Sequence, residues 1–291
     1  MKKIAVASGK GGTGKTFVST HLYQVMVEAG FRVAMVDCDA EVPNDFLFLG
    51  GERLQQWQVE VFTPTVDMDR CVCCGRCAEI CHYHAITCIP ELHYLKLMPD
   101  LCHSCTACRE LCPTGAIGTS SKLLGWVTAF GEKQQQPYLY EARLKSGEHS
   151  PVEIIRHAVA RATLGSYDYL LLDAPPGCAC PFVNTVKYAD EVLLVTEPTP
   201  FGLSDLKHTV RVLRQLEKKF AVLINRSDLG DERLISYLEA EKIPILSSFP
   251  YSPSIAKAYS DGHLALEEVE GLREQFQEIM YKIVGDESGC H

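Results

Sequence analysis

Four residues near the start of the chain have the types and the spacing of a phosphate-binding turn. They fit the pattern G-x-x-x-x-G-K-[ST], and they are Gly9, Gly14, Lys15 and Thr16. In such a turn the glycine backbone directs N–H groups at phosphate oxygens, the lysine meets the outer phosphates, and the threonine hydroxyl binds Mg²⁺. The alternative is an ordinary glycine-rich turn between a strand and a helix. The nucleotide site predicted here consists of Gly11, Gly12, Thr13, Gly14, Lys15 and Thr16.

A second lysine, Lys10, stands five positions before the lysine that this turn requires. It is poorly placed to contact the nucleotide of its own chain, but it could reach a phosphate that a facing subunit holds. An arginine finger supplied in trans works in the same way, because its charge arrives only when the assembly forms. The alternative is a solvated surface lysine. We therefore predict Lys10 and Lys15 as catalytic residues and a homodimer that forms on ATP binding.

Eight of the fourteen cysteines form a duplicated metal-ligand pattern. The spacing C-x2-C-x2-C-x3-C occurs twice, 31 positions apart, and in ferredoxins with this spacing the fourth cysteine of each run binds the other cluster. The first predicted [4Fe-4S] cluster is bound by Cys71, Cys74, Cys77 and Cys112. The second is bound by Cys102, Cys105, Cys108 and Cys81. The alternative is zinc, whose structural sites usually pair two C-x2-C units.

Several segments resemble the MinD/ParA group of ATPases, which are relatives of the nitrogenase iron protein. Residues 10–16, KGGTGKT, resemble the deviant Walker A motif of that group. Residues 36–44 resemble its switch I segment, and residues 170–177 resemble its Walker B and switch II segment. Further likeness lies in residues 195–206, 223–228 and 249–262. The resemblance covers nearly the whole chain outside the cysteine region.

This resemblance implies roles for individual residues of the chain. Lys10 would contact the nucleotide across a dimer, Asp39 would activate the attacking water, and Asp173 would hold Mg²⁺ through water. Asn225 would recognise the adenine edge, with Pro250 packing nearby. The alternative for such strand-end aspartates is that they cap helices, and for Asp37 we prefer that interpretation.

Two further cysteines, Cys178 and Cys180, follow the presumed magnesium aspartate. Cys180 lies seven residues after Asp173, the offset at which the nitrogenase iron protein carries a ligand of its intersubunit cluster. Two such cysteines from each of two subunits would supply four thiolates, enough for a third [4Fe-4S] cluster shared across a dimer. The alternative is a pair of reduced thiols in a switch loop. The four remaining cysteines are predicted to be free thiols: Cys38, Cys73, Cys88 and Cys290.

Short apolar runs alternate with helix-length segments along most of the chain, for example at residues 32–39 and 204–219. This pattern predicts an α/β P-loop NTPase whose mostly parallel sheet is covered by helices on both faces. Between residues 64 and 118 the alternation stops, which predicts a small inserted α+β domain of the ferredoxin type. The ATPase domain would then comprise residues 1–63 and 119–291. Residues 131–150 are polar and are expected to form an exposed connection.

The composition excludes several classes of protein. A net charge of −9 argues against broad binding to nucleic acid, which needs a dense basic face. No run of apolar residues approaches the length of a membrane span, and the N-terminus lacks a signal-peptide core. We therefore expect a cytoplasmic protein with no membrane insertion and no nucleic-acid partner.

Three functions are compatible with these motifs. The leading hypothesis is an ATPase that couples a nucleotide-dependent dimer switch to electron transfer from [4Fe-4S] clusters to a redox partner, because the cysteine run lies between the two switch segments. The second is an iron-sulfur cluster carrier or scaffold that delivers a cluster to an apo-protein. The third, which we favour least, is a spatial-positioning ATPase.

Overall fold

The computed structural model describes residues 1–148 and 150–285. The chain forms two compact units. The larger unit contains residues 1–57, 127–143 and the chain from residue 154 onward, and the smaller unit contains residues 58–126 and 144–153. Cys290, which the sequence predicts to be a free thiol, lies outside the described residues.

The secondary structure elements are numbered in chain order. The strands are β1 (Lys2–Ala7), β2 (Val33–Asp37), β3 (Glu52–Val66), β4 (Ile86–Ile89), β5 (Tyr94–Leu97), β6 (Ile117–Gly131), β7 (Leu139–Leu144), β8 (Tyr169–Asp173), β9 (Glu191–Thr196), β10 (Lys219–Asn225) and β11 (Ile245–Phe249). The helices are α1 (Lys15–Glu28), α2 (Phe46–Leu49), α3 (Arg76–Glu79), α4 (Ala107–Glu110), α5 (Val152–Thr163), α6 (Cys180–Tyr188), α7 (Pro200–Gln215), α8 (Arg233–Ala240), α9 (Pro253–Ser260) and α10 (Leu272–Val284).

The main sheet has the strand order β11-β10-β9-β1-β8-β2-β7-β6-β3. The strands from β11 to β7 in this order pair with their neighbours in parallel. The register places Val6 of β1 and Asp37 of β2 beside Asp173 of β8. The carboxyl ends of these strands therefore meet at one edge, where open α/β sheets bind ligands. The α/β P-loop fold predicted from the sequence is confirmed.

The central strands of the larger unit are buried on both faces, as their continuous apolar sequences predict. Helix α1 packs on one face of the sheet and against α10. Phe17 of α1 lies edge-on to Phe249 and to Phe276, with 5.5 Å between ring centroids in each pair. His21 of α1 lies in the same core, where its Nε2 accepts a hydrogen bond from the N–H of Ala265 at 2.8 Å. This packing fixes the helix that follows the glycine turn.

One element contradicts the sequence-based expectation. Residues 131–150 do not form only an exposed connection, because β7 lies within them and pairs with β2. Leu139, Tyr140 and Ala142 of β7 are buried. The strand carries Glu141, which is also buried and accepts a hydrogen bond from Arg143 at 2.8 Å. This charged pair and the polar residues before it made the strand look like a loop.

The start of α7 also differs from the sequence reading, which placed the helical segment at residues 204–219. The helix begins four residues earlier, at Pro200. Proline is favoured in the first turn of a helix, and the hydroxyl of Thr199 caps it by accepting a hydrogen bond from the N–H of Gly202 at 3.0 Å.

The smaller unit repeats its local structure with the period of its sequence. Helix α4 lies 31 positions after α3, and each begins after a residue with left-handed backbone, Gly75 (φ 80°) and Thr106 (φ 63°). Strands β4 and β5 form an antiparallel pair, and the core contains equivalent residues of the two repeats: Cys77, Ile86, Cys108 and Ile117. The assignment of residues 64–118 to a ferredoxin-type domain stays a prediction, and the compact unit that contains them is larger.

In the part of the chain that the structure describes, no helix combines the length and the apolar character needed to cross a membrane.

Candidate nucleotide site and cysteine cavities

The glycine turn has the backbone that its sequence predicts. Gly12 and Gly14 adopt left-handed conformations, with φ of 77° and 97°, which side chains of L-residues rarely allow. A Cβ atom on Gly14 would overlap the side-chain amide of Asn225. Helix α1 begins directly after Gly14, so its free N–H groups face the site as in other phosphate-binding turns.

A cavity of about 410 Å³ adjoins this turn in the larger unit. It brings together most of the nucleotide-site residues predicted from the sequence: Gly11, Gly12, Gly14, Lys15, Thr16, Asp39, Asp173, Asn225 and Pro250. Thr13 and Lys10 lie outside the lining, and Thr13 is buried beside it. The sequence analysis missed several lining residues, among them Asn44, Arg226 and Tyr259. All three lie in segments whose family resemblance is visible, and that signal could have found them.

The donor set at the start of α1 suits a hard cation. The hydroxyl of Thr16 donates a hydrogen bond to Oδ2 of Asp173 at 2.8 Å and lies 3.2 Å from Oδ1 of Asn44. The other oxygen of Asp173, Oδ1, is buried and receives no hydrogen bond from any described residue. Burial raises the pKa of Asp173, and the charge of Lys15 opposes this shift. Oxygen ligands of this kind are those that Mg²⁺ prefers, so Thr16 and Asp173 fit the predicted metal.

Asp37 holds the loop that follows β2. Its carboxylate accepts hydrogen bonds from the backbone N–H groups of Asp39, Asn44 and Asp45 at 3.1, 2.7 and 3.0 Å. It is 1% exposed, and burial together with the charge of Asp173 raises its pKa. This capping geometry agrees with the structural role that we preferred for Asp37, and it fixes the loop that carries Asp39.

Asp45 is a buried acid that the sequence analysis missed. It is 0% exposed, and within residues 1–148 and 150–285 neither of its carboxylate oxygens receives a hydrogen bond from an N–H or O–H group. Burial and the charges of Asp37 and Asp173 raise its pKa. An acid directly before the apolar run FLFL, at the end of the switch I resemblance, was the signal available in the sequence.

Asp39 lines the cavity and is half-buried. Burial raises the pKa of its carboxyl group, while a backbone hydrogen bond from Val42 and the charge of Lys15 lower it. The structure therefore brings Asp39 to the same cavity as Lys15 and Thr16. Its role in activating water stays a prediction.

Asn225 is hydrogen-bonded to the phosphate turn. Its side-chain amide donates a hydrogen bond to the carbonyl of Thr13 at 2.8 Å, and its Oδ1 accepts one from the backbone N–H of Arg226 at 2.9 Å. Tyr259 approaches from α9, where its hydroxyl lies 3.4 Å from the side-chain nitrogen of Asn44. The adenine-recognition role of Asn225 and the packing role of Pro250 stay predictions.

Lys10 forms an ion pair within its own chain. Its Nζ lies 3.3 Å from Oε2 of Glu197, whose side chain is 8% exposed. The other oxygen of Glu197 binds the guanidinium of Arg226 at 2.5 Å. Lys10 is therefore a partly exposed, ion-paired lysine outside the lining of the nucleotide cavity of its own chain, and its role in trans stays a prediction.

The nucleotide-site sequence and the fold match a known family. The family model described as the CobQ/CobB/MinD/ParA nucleotide binding domain matches residues 4–265. The chain belongs to this family. As a MinD/ParA-type P-loop ATPase, it is similar over 98% of its length and of the relative's length to an uncharacterized protein of Methanocaldococcus jannaschii, with 28% identity.

More distant relatives of this MinD/ParA-type chain carry functional names. An iron-sulfur cluster carrier protein of Pyrococcus horikoshii is 21% identical over 76% of this chain and 60% of its own length. Among solved structures, the septum site-determining protein MinD of the same organism, in complex with Mg-ADP, matches with a TM-score of 0.57 and 19% identity, covering 99% of this chain and 97% of that one. At this identity the structural match shows the fold alone, and the relation to the nitrogenase iron protein stays a prediction.

In the smaller unit of this MinD/ParA-type chain, the cysteines group around two cavities. One cavity is lined by the four cysteines of the first predicted cluster, together with Cys73: Cys71, Cys74, Cys77 and Cys112. The other is lined by the four cysteines of the second: Cys81, Cys102, Cys105 and Cys108. The fourth cysteine of each run therefore lies with the first three of the other run, as the spacing predicts.

Backbone N–H groups point at several of these sulfurs. The N–H of Ala85 lies 3.2 Å from Sγ of Cys81, and in the other repeat the N–H of Ala116 lies 3.2 Å from Sγ of Cys112. Such hydrogen bonds tune iron-sulfur clusters. Among the described residues, no three His, Cys, Asp or Glu side chains converge as a site for one metal ion. In a cubane each thiolate binds a different iron, so a single-ion site is not expected there, and the two clusters at these eight cysteines stay predictions.

Three described cysteines belong to no predicted cluster, and one of them, Cys73, lines the first cavity. Cys38 is fully buried, and burial raises the pKa of its thiol. The thiol of Cys88 lies 3.7 Å from the carbonyl of Cys73. The free-thiol assignment of Cys38, Cys73 and Cys88 stays a prediction, because none of the described cysteines, the predicted cluster ligands included, forms a disulfide.

Cys178 and Cys180 face different surroundings. Sγ of Cys178 lies 3.1 Å from the hydroxyl of Thr209 on α7, whereas Cys180 is exposed at the first residue of α6. Between β8 and α6, the N–H of Gly177 donates a hydrogen bond to the carbonyl of Ser8, which ties this loop to the start of the phosphate turn. A bridging cluster at these cysteines stays a prediction.

Proposed function

We propose that this MinD/ParA-family ATPase couples ATP binding and hydrolysis to electron transfer from two [4Fe-4S] clusters to a partner protein. The observation that carries the proposal is the grouping of eight cysteines into two cavities, each lined by the four residues that the ferredoxin spacing assigns to one cluster. A nucleotide site and two such cavities in one chain favour a function that couples ATP hydrolysis to electron transfer over either activity alone.

The nucleotide half of the proposal rests on the residues around the glycine turn. The N–H groups of Gly11, Gly12 and Gly14 and the start of α1 bind phosphate oxygens, and Lys15 neutralises the outer phosphates. Thr16 and Asp173 would hold Mg²⁺, which would supply positive charge against the phosphates when bound. Asp39, on the loop fixed by Asp37, orients the attacking water.

In this proposal two loops of the larger unit respond to the nucleotide. The loop 38–45 is fixed by Asp37, and the loop 174–179 follows Asp173 and is tied to the phosphate turn through Gly177. Loops that γ-phosphate and Mg²⁺ hold become ordered on ATP binding and are released after hydrolysis. The cysteine-containing segment 58–126 lies between these loops in the sequence, and this order is the reason for proposing that the two are coupled.

The electron-transfer half rests on the smaller unit. Its eight cysteines would hold two cubanes, which supply one-electron redox chemistry when bound. The N–H groups of Ala85 and Ala116 donate to ligand sulfurs, one in each repeat, and such bonds stabilise the charge on a thiolate-bound cluster. The partner would be a protein that accepts an electron from one of these cavities.

Anaerobic purification tests this function. We expect about eight irons per chain, and EPR signals of reduced [4Fe-4S] clusters. Electron transfer to an acceptor such as a viologen dye, followed under stopped flow, is expected to differ between samples with Mg-ATP, with Mg-ADP and without nucleotide. Identical rates in the three states would contradict the coupling, and iron-free protein with zinc at the eight cysteines would contradict the clusters.

A second function, delivery of an iron-sulfur cluster to an apo-protein, is favoured by a separate observation. Several relatives are named iron-sulfur cluster carrier proteins, and Cys180 is exposed at the start of α6, where a labile cluster shared between two chains could leave. The replacement Cys178→Ser with Cys180→Ser should then abolish transfer of iron to an apo-ferredoxin while about eight irons per chain remain. Transfer that persists in this variant would contradict the carrier function.

A further inference from the structure

Three strand ends place two cations on either side of one buried carboxylate. Strand β9 lies between β1 and β10 in the sheet. Glu197 follows β9 directly, Arg226 follows β10 directly, and Lys10 lies three residues after the end of β1. The strand order therefore places Lys10 on one side of Glu197 and Arg226 on the other.

Each oxygen of Glu197 binds one of the two cations. Oε1 lies 2.5 Å from the guanidinium of Arg226, and Oε2 lies 3.3 Å from Nζ of Lys10. Ion pairs with good hydrogen-bond geometry have N–O distances of about 2.7–2.9 Å, so the pair with Lys10 is the looser one. The backbone of Lys10 is held separately, because the hydroxyl of Ser8 donates to its carbonyl at 2.6 Å. The lysine side chain can therefore leave Glu197 while its backbone stays in place.

Release of Lys10 does not leave a bare buried charge. A carboxylate as buried as that of Glu197 strongly destabilises the folded protein when it loses its only counter-ion. Arg226 remains bound to Glu197 after Lys10 leaves, and the group of two cations and one carboxylate has a net charge of +1. One cation is therefore in excess, and Lys10 is the one whose contact is longer.

We propose that Glu197 is a positioning residue that holds Lys10 on its own subunit until a facing subunit presents a nucleotide, with Arg226 as the counter-ion that stays. A triphosphate carries more negative charge than one carboxylate, so Lys10 exchanges Glu197 for phosphate only when the facing subunit is loaded. The inference rests on the proposed dimer switch, in which Lys10 acts in trans. Glu197 then sets how much ATP is needed for the dimer to form.

Dimerisation of the full chain tests this role. The substitution Glu197→Gln removes the charge that retains Lys10 and keeps the size of the side chain. With saturating Mg²⁺ and the non-hydrolysable analogue AMPPNP, sedimentation velocity should give a dimer dissociation constant about three- to tenfold lower than that of the wild type. Glu197→Asp retains the charge on a shorter side chain, and its dissociation constant should lie between those of the wild type and Glu197→Gln.

A matched control lies on the same strand. Glu191, at the other end of β9, pairs with Lys2 at 2.9 Å, so Glu191→Gln removes an ion pair of the same kind far from the nucleotide edge. This variant should dimerise like the wild type. In a Lys10→Ala background, Glu197→Gln should have no effect, because no lysine remains to be released.

The outcomes separate the inference from the function on which it rests. If the wild type stays monomeric with AMPPNP, the dimer switch itself is wrong, and the inference falls with it. If the wild type dimerises but Glu197→Gln equals Glu191→Gln, or shifts the constant equally with and without Lys10, the inference alone is overturned. Should Glu197→Gln fail to fold, Glu197→Asp makes a graded test: its shorter side chain loosens Lys10, and a constant above that of the wild type would contradict the proposal.

Discussion

The hydroxyl of Thr16 donates a hydrogen bond to Oδ2 of Asp173 across 2.8 Å, although the two residues are 157 positions apart. The first follows β1 through the glycine turn, and the second ends β8, the parallel neighbour of β1. The contact joins the phosphate turn to the loop that contains Gly177 and Cys178. Asp173 also has a buried oxygen without a donor, and this pair is the predicted position for Mg²⁺.

The first prediction concerns this pair. In Asp173→Asn the metal site loses a negative charge, and we expect the affinity for Mn²⁺, used as a probe for Mg²⁺, to fall by about 10- to 100-fold in the ADP-bound protein. Isothermal titration calorimetry measures the change. The exposed Asp231, which pairs with Arg233, provides the control Asp231→Asn, which should bind like the wild type. Equal affinity in Asp173→Asn would show that Asp173 does not hold the metal.

The second prediction concerns which cysteines share a cluster. Cys77 and Cys112 line one cavity, so Cys77→Ser with Cys112→Ser should lose one cluster and keep about four irons per chain. Cys108 lines the other cavity, so Cys77→Ser with Cys108→Ser should lose both clusters. Iron and sulfide analysis of anaerobically purified protein distinguishes the two. The control Cys88→Ser should keep about eight irons, and equal loss in the two double variants would refute the assignment.

The third prediction concerns pH and His21. Burial lowers the pKa of His21 to about 4, and the neutral ring bonds both the carbonyl of Phe17 and the N–H of Ala265. The unfolded chain takes up this proton near pH 6.5, whereas the folded chain resists it until about pH 4. Stability is therefore lost as the pH falls through this window, by about 3 kcal/mol in the free energy of unfolding.

Urea unfolding at several pH values measures this loss. His21→Gln cannot be protonated, so its stability should fall less steeply between pH 6.5 and 4 than that of the wild type. His263 is exposed, and His263→Gln should follow the wild type. Parallel curves for His21→Gln and the wild type would contradict the assigned cause.

The fourth prediction concerns the glycine turn. Gly14→Ala forces a Cβ atom against Asn225 at a left-handed position, and we expect the free energy of unfolding to fall by about 1–3 kcal/mol. A Cβ on Gly11 would meet nothing within 4 Å, so Gly11→Ala is the matched control for stability. Thermal unfolding without nucleotide compares them. Equal unfolding temperatures would mean that Asn225 moves aside at little cost.

The fifth prediction concerns Asp45. Asp45→Asn keeps the shape of a fully buried side chain and removes an ionisable group whose charged form is disfavoured by burial and by Asp37 and Asp173. Without Mg²⁺ at neutral pH, we expect the variant to gain about 1–3 kcal/mol in stability, because a buried carboxyl group without a donor is costly. Asp261→Asn, at an exposed position, is the control. A loss of stability in Asp45→Asn would show that its carboxylate has a partner that stabilises it.

Much of the candidate site could be predicted because its chemistry depends on residues that lie only a few positions apart in the sequence. The phosphate turn needs glycines and a lysine within eight consecutive residues, and the cysteine runs need two or three residues between ligands. The 31-residue repeat survives in the structure, where Ala85 and Ala116 donate to equivalent sulfurs. The alternation of apolar runs with helical segments predicted the parallel sheet, because a strand buried on both faces must be apolar throughout.

Other features depended on which strands become neighbours, and no local pattern encodes that. Glu197 meets Lys10 and Arg226 only because β9 is placed between β1 and β10. The place of Asp45 before an apolar run does not reveal that it is buried among other acids, and β7 was not predicted because its buried Glu141 is paired with Arg143. The sequence by itself determined the chemical groups and their local geometry, whereas only the tertiary structure decided their long-range partners, since charge pairing and burial depend on contacts between residues far apart in the chain.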